Sequence, residues 1–332
     1  MTALATAGSA RALRVAGPTP SVVVRGALRR YPGGRSVGPI DLDVHGGEVL
    51  ALMGSNGAGK STLLRLLASA DRSDGGRLAW WGDSSPRRAR RRIGYAADEP
   101  VEETTLSLRQ STYFWCRQWV RDPRLARRLT AETLDSLGLG ERADEPVGTL
   151  SYGLRRRLAL SQALAHDPAL ALFDEPSAGL DPDGVEVVSA ALRARAAAGR
   201  TTVVASNDPE FVAGVADRVA MLHEGRCLRV APLQDLLAEV PRRRIVELRV
   251  GDAGDGALTA VLAERVATLS GVLLRSAVDG LVVAELEEDA ALSRLVAAAD
   301  SIGPGVRSLE VRRPDLRECF HALVERDGGE TA

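Results

Sequence analysis

Lysine is nearly absent from this 332-residue sequence: of 43 basic side chains 42 are arginine, and the one lysine is Lys60. Cysteine is sparse too. Cys116, Cys227 and Cys319 stand far apart, odd in number and without metal-ligand spacing, which excludes a disulfide framework and a zinc ribbon and indicates a reducing compartment. No apolar run approaches the roughly 18 residues of a membrane span, so any membrane role must come through a partner. The net charge of −1 gives no positive field for nucleic acid, and no nucleic-acid partner is expected. The local run Arg87-Arg88-Ala89-Arg90-Arg91-Arg92 reads as a solvated turn or helix start. Residues 1–20 are rich in Ala, Arg, Ser, Thr and Gly and hold no compact apolar block; they resemble neither a secretion signal nor a folded element, and a disordered tail is expected.

What is present begins at the exceptional lysine. Gly54-Ser55-Asn56-Gly57-Ala58-Gly59-Lys60-Ser61, followed by Thr62, is a complete phosphate-binding loop. A compact ammonium is retained where a rigid guanidinium fork would not fit against triphosphate oxygens. Glu48 to Met53 reads as a buried strand and Ser61 to Ala70 as a helix, the context in which loop amides and a helix N-terminus surround phosphates.

The length exceeds the ~250–300 residues at which single cores stop growing, so at least two domains are expected. From Val22 to about Pro232, short apolar strands alternate with helical stretches, as in a sheet covered by helices. Clear strands are Glu48 to Met53, Ala169 to Phe173 and Thr201 to Ser206, and ligands of open α/β sheets bind beyond the carboxyl ends of strands. Between Glu102 and Thr149 the pattern is helical and carries Tyr113, Phe114, Trp115 and Trp119. These aromatics fit either a groove for a partner's helix or a local core. Trp80 and Trp81 fit packing at a strand end.

Past Pro232 the pattern is a strand about Val246 to Val250, a helix Ala257 to Leu269, strands Val272 to Arg275 and Leu281 to Leu286 joined by Asp279-Gly280, a helix Glu288 to Ala299, and a strand Val306 to Val311. That β-α-β-β-α-β order predicts a ferredoxin-like module, closed by a helix from Asp315 to Val324. The expected domains are 21–235, with a helical subdomain at about 100–150, and 242–326.

Chemistry is carried downstream of the loop. The apolar strand Ala169-Leu170-Ala171-Leu172-Phe173 runs into Asp174-Glu175. A carboxylate at a strand end beside a triphosphate holds Mg²⁺, directly or through water, with the Ser61 hydroxyl supplying another oxygen. Glu175 points to the other side of the strand end and is the candidate general base.

Leu150-Ser151-Tyr152-Gly153-Leu154-Arg155-Arg156-Arg157-Leu158 precedes this pair, and Ser177-Ala178-Gly179-Leu180-Asp181-Pro182 follows it. With these motifs in this order, residues 22 to about 232 resemble the ATP-binding cassette (ABC) ATPase family. The resemblance implies an α/β P-loop NTPase cassette with a helical subdomain, followed here by the small α+β ferredoxin-like domain. It implies ATP and Mg²⁺ as ligands and two cassettes packed head to tail. Ser151 and Gly153 of one would then meet the γ-phosphate held by the other, Asp181 would cross the same interface, and Tyr31 would stack on adenine. For Tyr31 a surface-turn role before Pro32-Gly33-Gly34 also fits. Arg155, Arg156 and Arg157 either reach phosphates or solvate a helix face, and the solvated face is the reading taken.

Two positions depart from the family pattern. Where a magnesium- and γ-phosphate-sensing glutamine is usual, the chain has Asp98; unit charges at ~4 Å and an effective dielectric near 20 interact by roughly 4 kcal/mol, so Asp98 would favour the metal and resist phosphate. A shifted loop is the alternative. Where a histidine is usual after Thr201 to Ala205, the chain has Ser206-Asn207-Asp208. Asn207 exchanges hydrogen bonds but carries no charge, and losing one preorganised transition-state contact costs ~10²–10³ in rate, so slow hydrolysis with intact binding is expected. Gln110, His45, His166, His223 and His321 lie outside the switch position.

The cassette, the carboxyl-terminal module ending in Pro314-Asp315-Leu316-Arg317-Glu318-Cys319-Phe320, and Leu154 after the signature glycine resemble ATPase subunits of ABC-2 type drug and antibiotic exporters. This implies a cytoplasmic ATPase, peripheral on the inner face of the membrane, that works as a homodimer or heterodimer with a separate integral membrane permease. A catalytically weak regulatory cassette beside a competent partner is the alternative. A cassette acting on DNA or ribosomes fits less well, since there is one phosphate loop and no long heptad insertion.

Overall fold

The computed structural model describes residues 20–98, 104–239, 243–251, 256–288, 290–301, 305–312 and 315–329. The expected tail therefore lies outside the described residues, except that Pro20 opens a strand; Pro314 and the stretch 99–103 also lie outside them. Two compact units divide between Val230 and Ala231.

The first unit is built on two sheets. Strands β1 (Pro20–Arg30), β2 (Ser36–His45) and β4 (Gly75–Trp80) form an antiparallel sheet in the order β2-β1-β4. Strands β3 (Val49–Met53), β5 (Ile93–Ala96), β6 (Leu170–Asp174), β7 (Thr201–Ala205), β8 (Arg218–His223) and β9 (Arg226–Pro232) form a six-stranded sheet in the order β5-β6-β7-β3-β8-β9. Ladders β5–β6, β6–β7, β7–β3 and β3–β8 are parallel. Every residue of β3, β6 and β7 is buried, which is why these strands are continuous apolar runs rather than alternating ones.

Helix α1 (Lys60–Leu67) lays Leu63, Leu64, Leu66 and Leu67 into the core that both sheets share. Trp80 is buried there and donates its indole N–H to the Leu67 carbonyl at 2.8 Å. The basic run forms the short helix α2 (Pro86–Arg90), and Arg92 stacks on Trp81 at 3.8 Å.

The helical insertion comprises α3 (Leu108–Arg117), α4 (Pro123–Ser136), two 3₁₀ turns, and α5 (Tyr152–Leu164). Gln110 belongs to a reciprocal cap with Ser107 at the start of α3, a structural role. Asp181 caps α6 (Pro182–Ala197) and Asp208 caps α7 (Pro209–Val215), each with proline in the first helical turn.

The second unit starts with α8 (Leu233–Glu239), then runs β10 (Arg244–Val250), α9 (Gly256–Ala267), β11 (Val272–Val278), β12 (Leu281–Leu286), α10 (Ala291–Asp300), β13 (Val306–Arg312) and α11 (Leu316–Gly329). Its sheet has the order β11-β12-β10-β13 with every ladder antiparallel, the ferredoxin-like arrangement. Val246, Leu248, Val282, Ala284, Leu262 and Leu295 form its core. The strand edges differ from the pattern-based ones by a few residues; β11, for instance, continues to Val278 through a register shift between Leu274 and Ser276.

Candidate functional site

The phosphate loop joins β3 to α1, and its glycines are fixed by crowding. A Cβ on Gly54 would lie 2.2 Å from the Leu222 carbonyl oxygen of the neighbouring strand, and one on Gly59, whose φ is +103°, would lie 2.9 Å from Val37. Any side chain there would push the loop off β8 or off β2. Lys60 is buried and donates to the Gly54 carbonyl at 2.7 Å and the Ser55 carbonyl at 3.3 Å. Burial lowers its pKa, against the opposing pull of Glu175 and Asp174.

The ends of β6 and β7 supply the facing wall. The Ser61 hydroxyl beside Asp174 favours its charged form, yet burial outweighs it and raises the Asp174 pKa. Glu175 is likewise raised by burial, although Lys60, 3.9 Å away, and the nearby Asn207 N–H and Ser206 hydroxyl favour its charged form. The Lys60–Glu175 separation is too long for a hydrogen bond, so desolvation dominates both groups. Glu175 has φ of +48°, and its N–H donates to the Ala205 carbonyl at 2.8 Å. Asn207 itself is exposed and reaches Asn56 Oδ1 with Nδ2 at 3.4 Å. Its side chain thus points toward the phosphate loop, and its backbone N–H favours the charged form of Glu175.

A cleft of about 1020 Å³ is lined by Tyr31, Arg35, the loop from Asn56 to Thr62, Asp98, Asp174, Glu175 and Glu224. The Tyr31 hydroxyl bonds to Thr62 Oγ1 at 2.9 Å, and Arg29 sits 5.6 Å from its ring centre. Tyr31 thus stands at the turn before Pro32, its N–H on the Arg35 carbonyl at 2.8 Å, and is also tied to the phosphate loop. The glycine loop, the Lys60 ammonium and the hard oxygens of Ser61 and Asp174 are a donor set that fits a nucleoside triphosphate with Mg²⁺.

Asp98 corrects one expectation and Arg156 another. Asp98 lines the cleft but is paired there, not uncompensated: Arg156 donates to its Oδ1 at 3.0 Å. Arg156, placed above on a solvated helix face, is buried to 1% side-chain exposure. Its position is four residues from Leu160 and seven from Ala163, both buried, so counting the helical period would have put it on the packed face. Arg157 donates to the Leu137 carbonyl at 3.2 Å and does not line the cleft.

The signature and the Asp181 segment lie outside this cleft and against each other. Ser151 caps α5 by accepting from the Leu154 N–H at 3.4 Å, and Asp181 Oδ1 accepts from the Gly184 N–H at 2.8 Å. A Cβ on Gly153 would lie 3.1 Å from the Gly179 carbonyl oxygen, and one on Gly179 would lie 2.4 Å from the ring of Tyr152. Gly179 is thus the seat of the signature tyrosine, a pairing of positions 27 residues apart in sequence (179 against 152) that no local pattern reveals. One chain brings the phosphate loop, Asp174, Glu175, Asp98 and Asn207 together and leaves Ser151, Gly153 and Asp181 apart from them.

Residues 37–178, which span loop, strand and signature, match the family described as ABC transporter. Over 320 residues the chain is 32% identical to the daunorubicin/doxorubicin resistance ATP-binding protein DrrA of Streptomyces peucetius, covering 92% of this chain and 93% of that protein. The chain belongs to the ABC transporter family. Within it, the chain is an ATP-binding subunit. It is also 26% identical over 290 residues to the linearmycin resistance ATP-binding protein LnrL of Bacillus subtilis (strain 168), covering 86% of this chain and 93% of that one. Among solved structures, cbiO1 from Clostridium perfringens, part of the ABC transporter complex cbiONQ, matches with a TM-score of 0.60 at 26% identity, over 66% of this chain and 91% of that one. An ATP binding subunit of an ABC transporter matches with a TM-score of 0.61 at 23% identity over 67% of this chain and 93% of that one, a likeness of fold.

An apolar groove of about 440 Å³ lies between the parallel sheet and the helical insertion, lined by Ile93, Tyr95, Trp115, Trp119, Ala163 and His166. Trp115 and Trp119 are exposed, and Trp119 stacks on His166 with ring centres 5.6 Å apart. Tyr113 instead packs with Cys116 and Ala126 in a small local core. The aromatic group thus divides by residue: Tyr113 belongs to a local core, while Trp115 and Trp119 line the groove.

Proposed function

We propose that this cassette clamps Mg²⁺–ATP between two ATP-binding subunits and uses its hydrolysis to drive a separate membrane permease that exports drug-like molecules. The observation that supports this reading is the separation of the two half-sites: Lys60, Ser61, Asp174 and Glu175 line one cleft, while the capped start of α5 with Ser151 and Gly153 stands outside it. A γ-phosphate in the cleft of one subunit would complete its shell from the helix start of a second. When bound, the metal would supply positive charge against the phosphates. Ser61 and Asp174 would hold it, Lys60 would turn from its two carbonyls to the phosphates, and Glu175 would orient and deprotonate the attacking water. Asp181 would reach across the interface. Tyr31, anchored through Thr62, would offer its ring to adenine.

Among the described residues no helix is long and apolar enough to cross a membrane. The exposed Trp115 and Trp119 beside the apolar groove suit an amphipathic segment of a permease, which would place this chain on the inner face of the membrane. Both drug-resistance relatives align over most of the chain, the carboxyl-terminal module included, and this favours export. The test is joint purification: with Glu175→Gln and ATP, the chain is expected to form a stable two-cassette species bound to a membrane protein. A monomer under ATP with no membrane partner would overturn the reading.

A second reading is carried by Asn207, which provides no charge where the attacking water would lie. In it the chain is a slow cassette paired with a competent one. Equal hydrolysis by the chain alone and in its native pair would exclude this.

A further inference from the structure

Arg156 occupies the second turn of α5, the helix that starts at the signature, and none of its guanidinium is given to solvent. Nε donates to the Glu175 carbonyl at 3.0 Å and Nη1 to the Ala97 carbonyl at 3.0 Å. Nη1 also bonds the Asp98 carbonyl, and Nη2 bonds the carbonyls of Asp174 and Glu175 and the Asp98 carboxylate. One side chain thereby joins the carboxyl ends of β5 and β6. The clamped segment includes Glu175, whose φ of +48° is a conformation that side-chain-bearing residues adopt only when their surroundings impose it. A planar fork with five N–H donors is the one side chain able to meet these acceptors together.

Its single carboxylate partner is of a different kind. Asp98 is 56% exposed and lines the cleft, whereas Arg156 is 1% exposed. The cation is fixed and the anion is free to turn. From this asymmetry we propose that Arg156 is a positioning residue with two effects: it sets the backbone that aims Asp174 and Glu175 into the cleft, and it holds the Asp98 carboxylate back from the divalent cation that accompanies the nucleotide. Released from Arg156, Asp98 would become an added hard-oxygen ligand, trapping the metal while the general base loses its alignment. The proposal rests on the reading of this cleft as the nucleotide site.

The test uses the full-length protein, Mn²⁺ as a paramagnetic probe and a non-hydrolysable ATP analogue, with bound Mn²⁺ counted by electron paramagnetic resonance and turnover measured separately with Mg²⁺–ATP. Arg156→Gln is expected to tighten Mn²⁺ binding by roughly 5- to 10-fold, the size of a coupling between contacting residues, and to lower kcat with KM for ATP little changed. Asp98→Asn added to that variant is expected to return Mn²⁺ affinity to within about twofold of the starting protein, since the coupling needs the carboxylate. Arg156→Lys keeps a buried charge but not the fork, so it is expected to show the same shift to a smaller extent; it carries the test if Arg156→Gln does not fold. Unchanged or weakened Mn²⁺ binding in the Arg156 variants, or tightening that persists without Asp98, overturns the proposal. Failure of the nucleotide-site reading looks different. In that case the unaltered protein would show no analogue-dependent Mn²⁺ binding, or Lys60→Ala would leave it intact.

Discussion

Arg156 in the cassette and Arg312 in the carboxyl-terminal unit are both arginines withdrawn from water, and they are compensated in opposite ways. Arg156 gives most of its donors to main-chain carbonyls and faces one carboxylate. Arg312 is met by carboxylates: Nε bonds Glu247 at 2.7 Å, Nη2 bonds Glu318 at 2.7 Å, and Asp315 lies 3.6 Å away. Burial works against the Arg312 charge, but the bonds to Glu318 and Glu247 outweigh it and hold its pKa above the ordinary arginine value. The same unit closes Arg243 and Arg275 onto the buried Glu285. The cassette, by contrast, leaves Lys60, Asp174 and Glu175 with burial that their partners do not outweigh. Charge in the second unit is matched within the fold; charge in the cassette is left ready for a ligand that brings its own.

The largest effects should come from breaking the cassette side of this contrast. Glu175→Gln removes the proposed base but keeps the shape, so hydrolysis is expected to fall by ~10²–10⁴ while ATP affinity holds; equilibrium nucleotide binding beside a phosphate-release assay checks both. Because burial raises the Glu175 pKa, hydrolysis should begin to fail on acidification at a higher pH than an ordinary glutamate would impose. Next in size is Asn207→His. The replacement retains the backbone N–H beside Glu175 and adds an imidazole at the loop, and hydrolysis is expected to rise by ~10-fold or more, toward the ~10²–10³ of one transition-state contact. No gain would show that Asn207 does not limit the rate.

These positions also mark what the sequence could reveal. The phosphate loop, Asp174-Glu175 and the strands of the parallel sheet were legible because each is local: glycine spacing, an apolar run, a carboxylate at its end. The ferredoxin-like order of the second unit followed from alternation and the Asp279-Gly280 turn, at which both residues have positive φ. For Arg156 the helical period marks the packed face, but the partners it meets there were illegible for a physical reason. Its acceptors are carbonyls at 97–98 and 174–175, and backbone oxygens carry no residue identity. The triple arginine therefore looked like a solvated face, and Asp98 looked like an uncompensated anion. Tyr152 on Gly179 escaped in the same way, since the ring's seat exists only once α5 meets the loop before α6.

On the paired side the expected losses are of stability rather than rate. Arg312→Ala takes from Glu247 and Glu318 the cation they share, and a loss of about 2 kcal/mol in the second unit is expected, below the 3–5 kcal/mol of a fully buried pair because these groups keep some water contact. Local hydrogen exchange in β10 and β13 would report it, and nucleotide affinity should stay the same.

Acidification gives the smallest contrast and the most direct one. His166 stacks under Trp119 with Nε2 lacking a partner, and burial lowers its pKa from 6.5 to about 4. The unfolded chain then takes up a proton below pH 6.5 that the folded cassette refuses until about pH 4, so its stabilising contribution is full above 6.5 and lost as pH falls through that window. A loss of roughly 1–2 kcal/mol is expected once relaxation and partial hydration are allowed. Asp315 is shifted the other way for a carboxylate: burial would raise its pKa, but the Arg317 and Arg312 partners lower it below 3.8. Its contribution survives above that value and fades only below it, so the second unit should keep its stability through the range in which the cassette weakens. Exchange-monitored unfolding of the two units between pH 7 and pH 4 separates them. His166→Phe, which keeps the stack on Trp119 and removes the titration, should flatten the cassette's profile, and an unchanged slope would show that the acid sensitivity arises elsewhere.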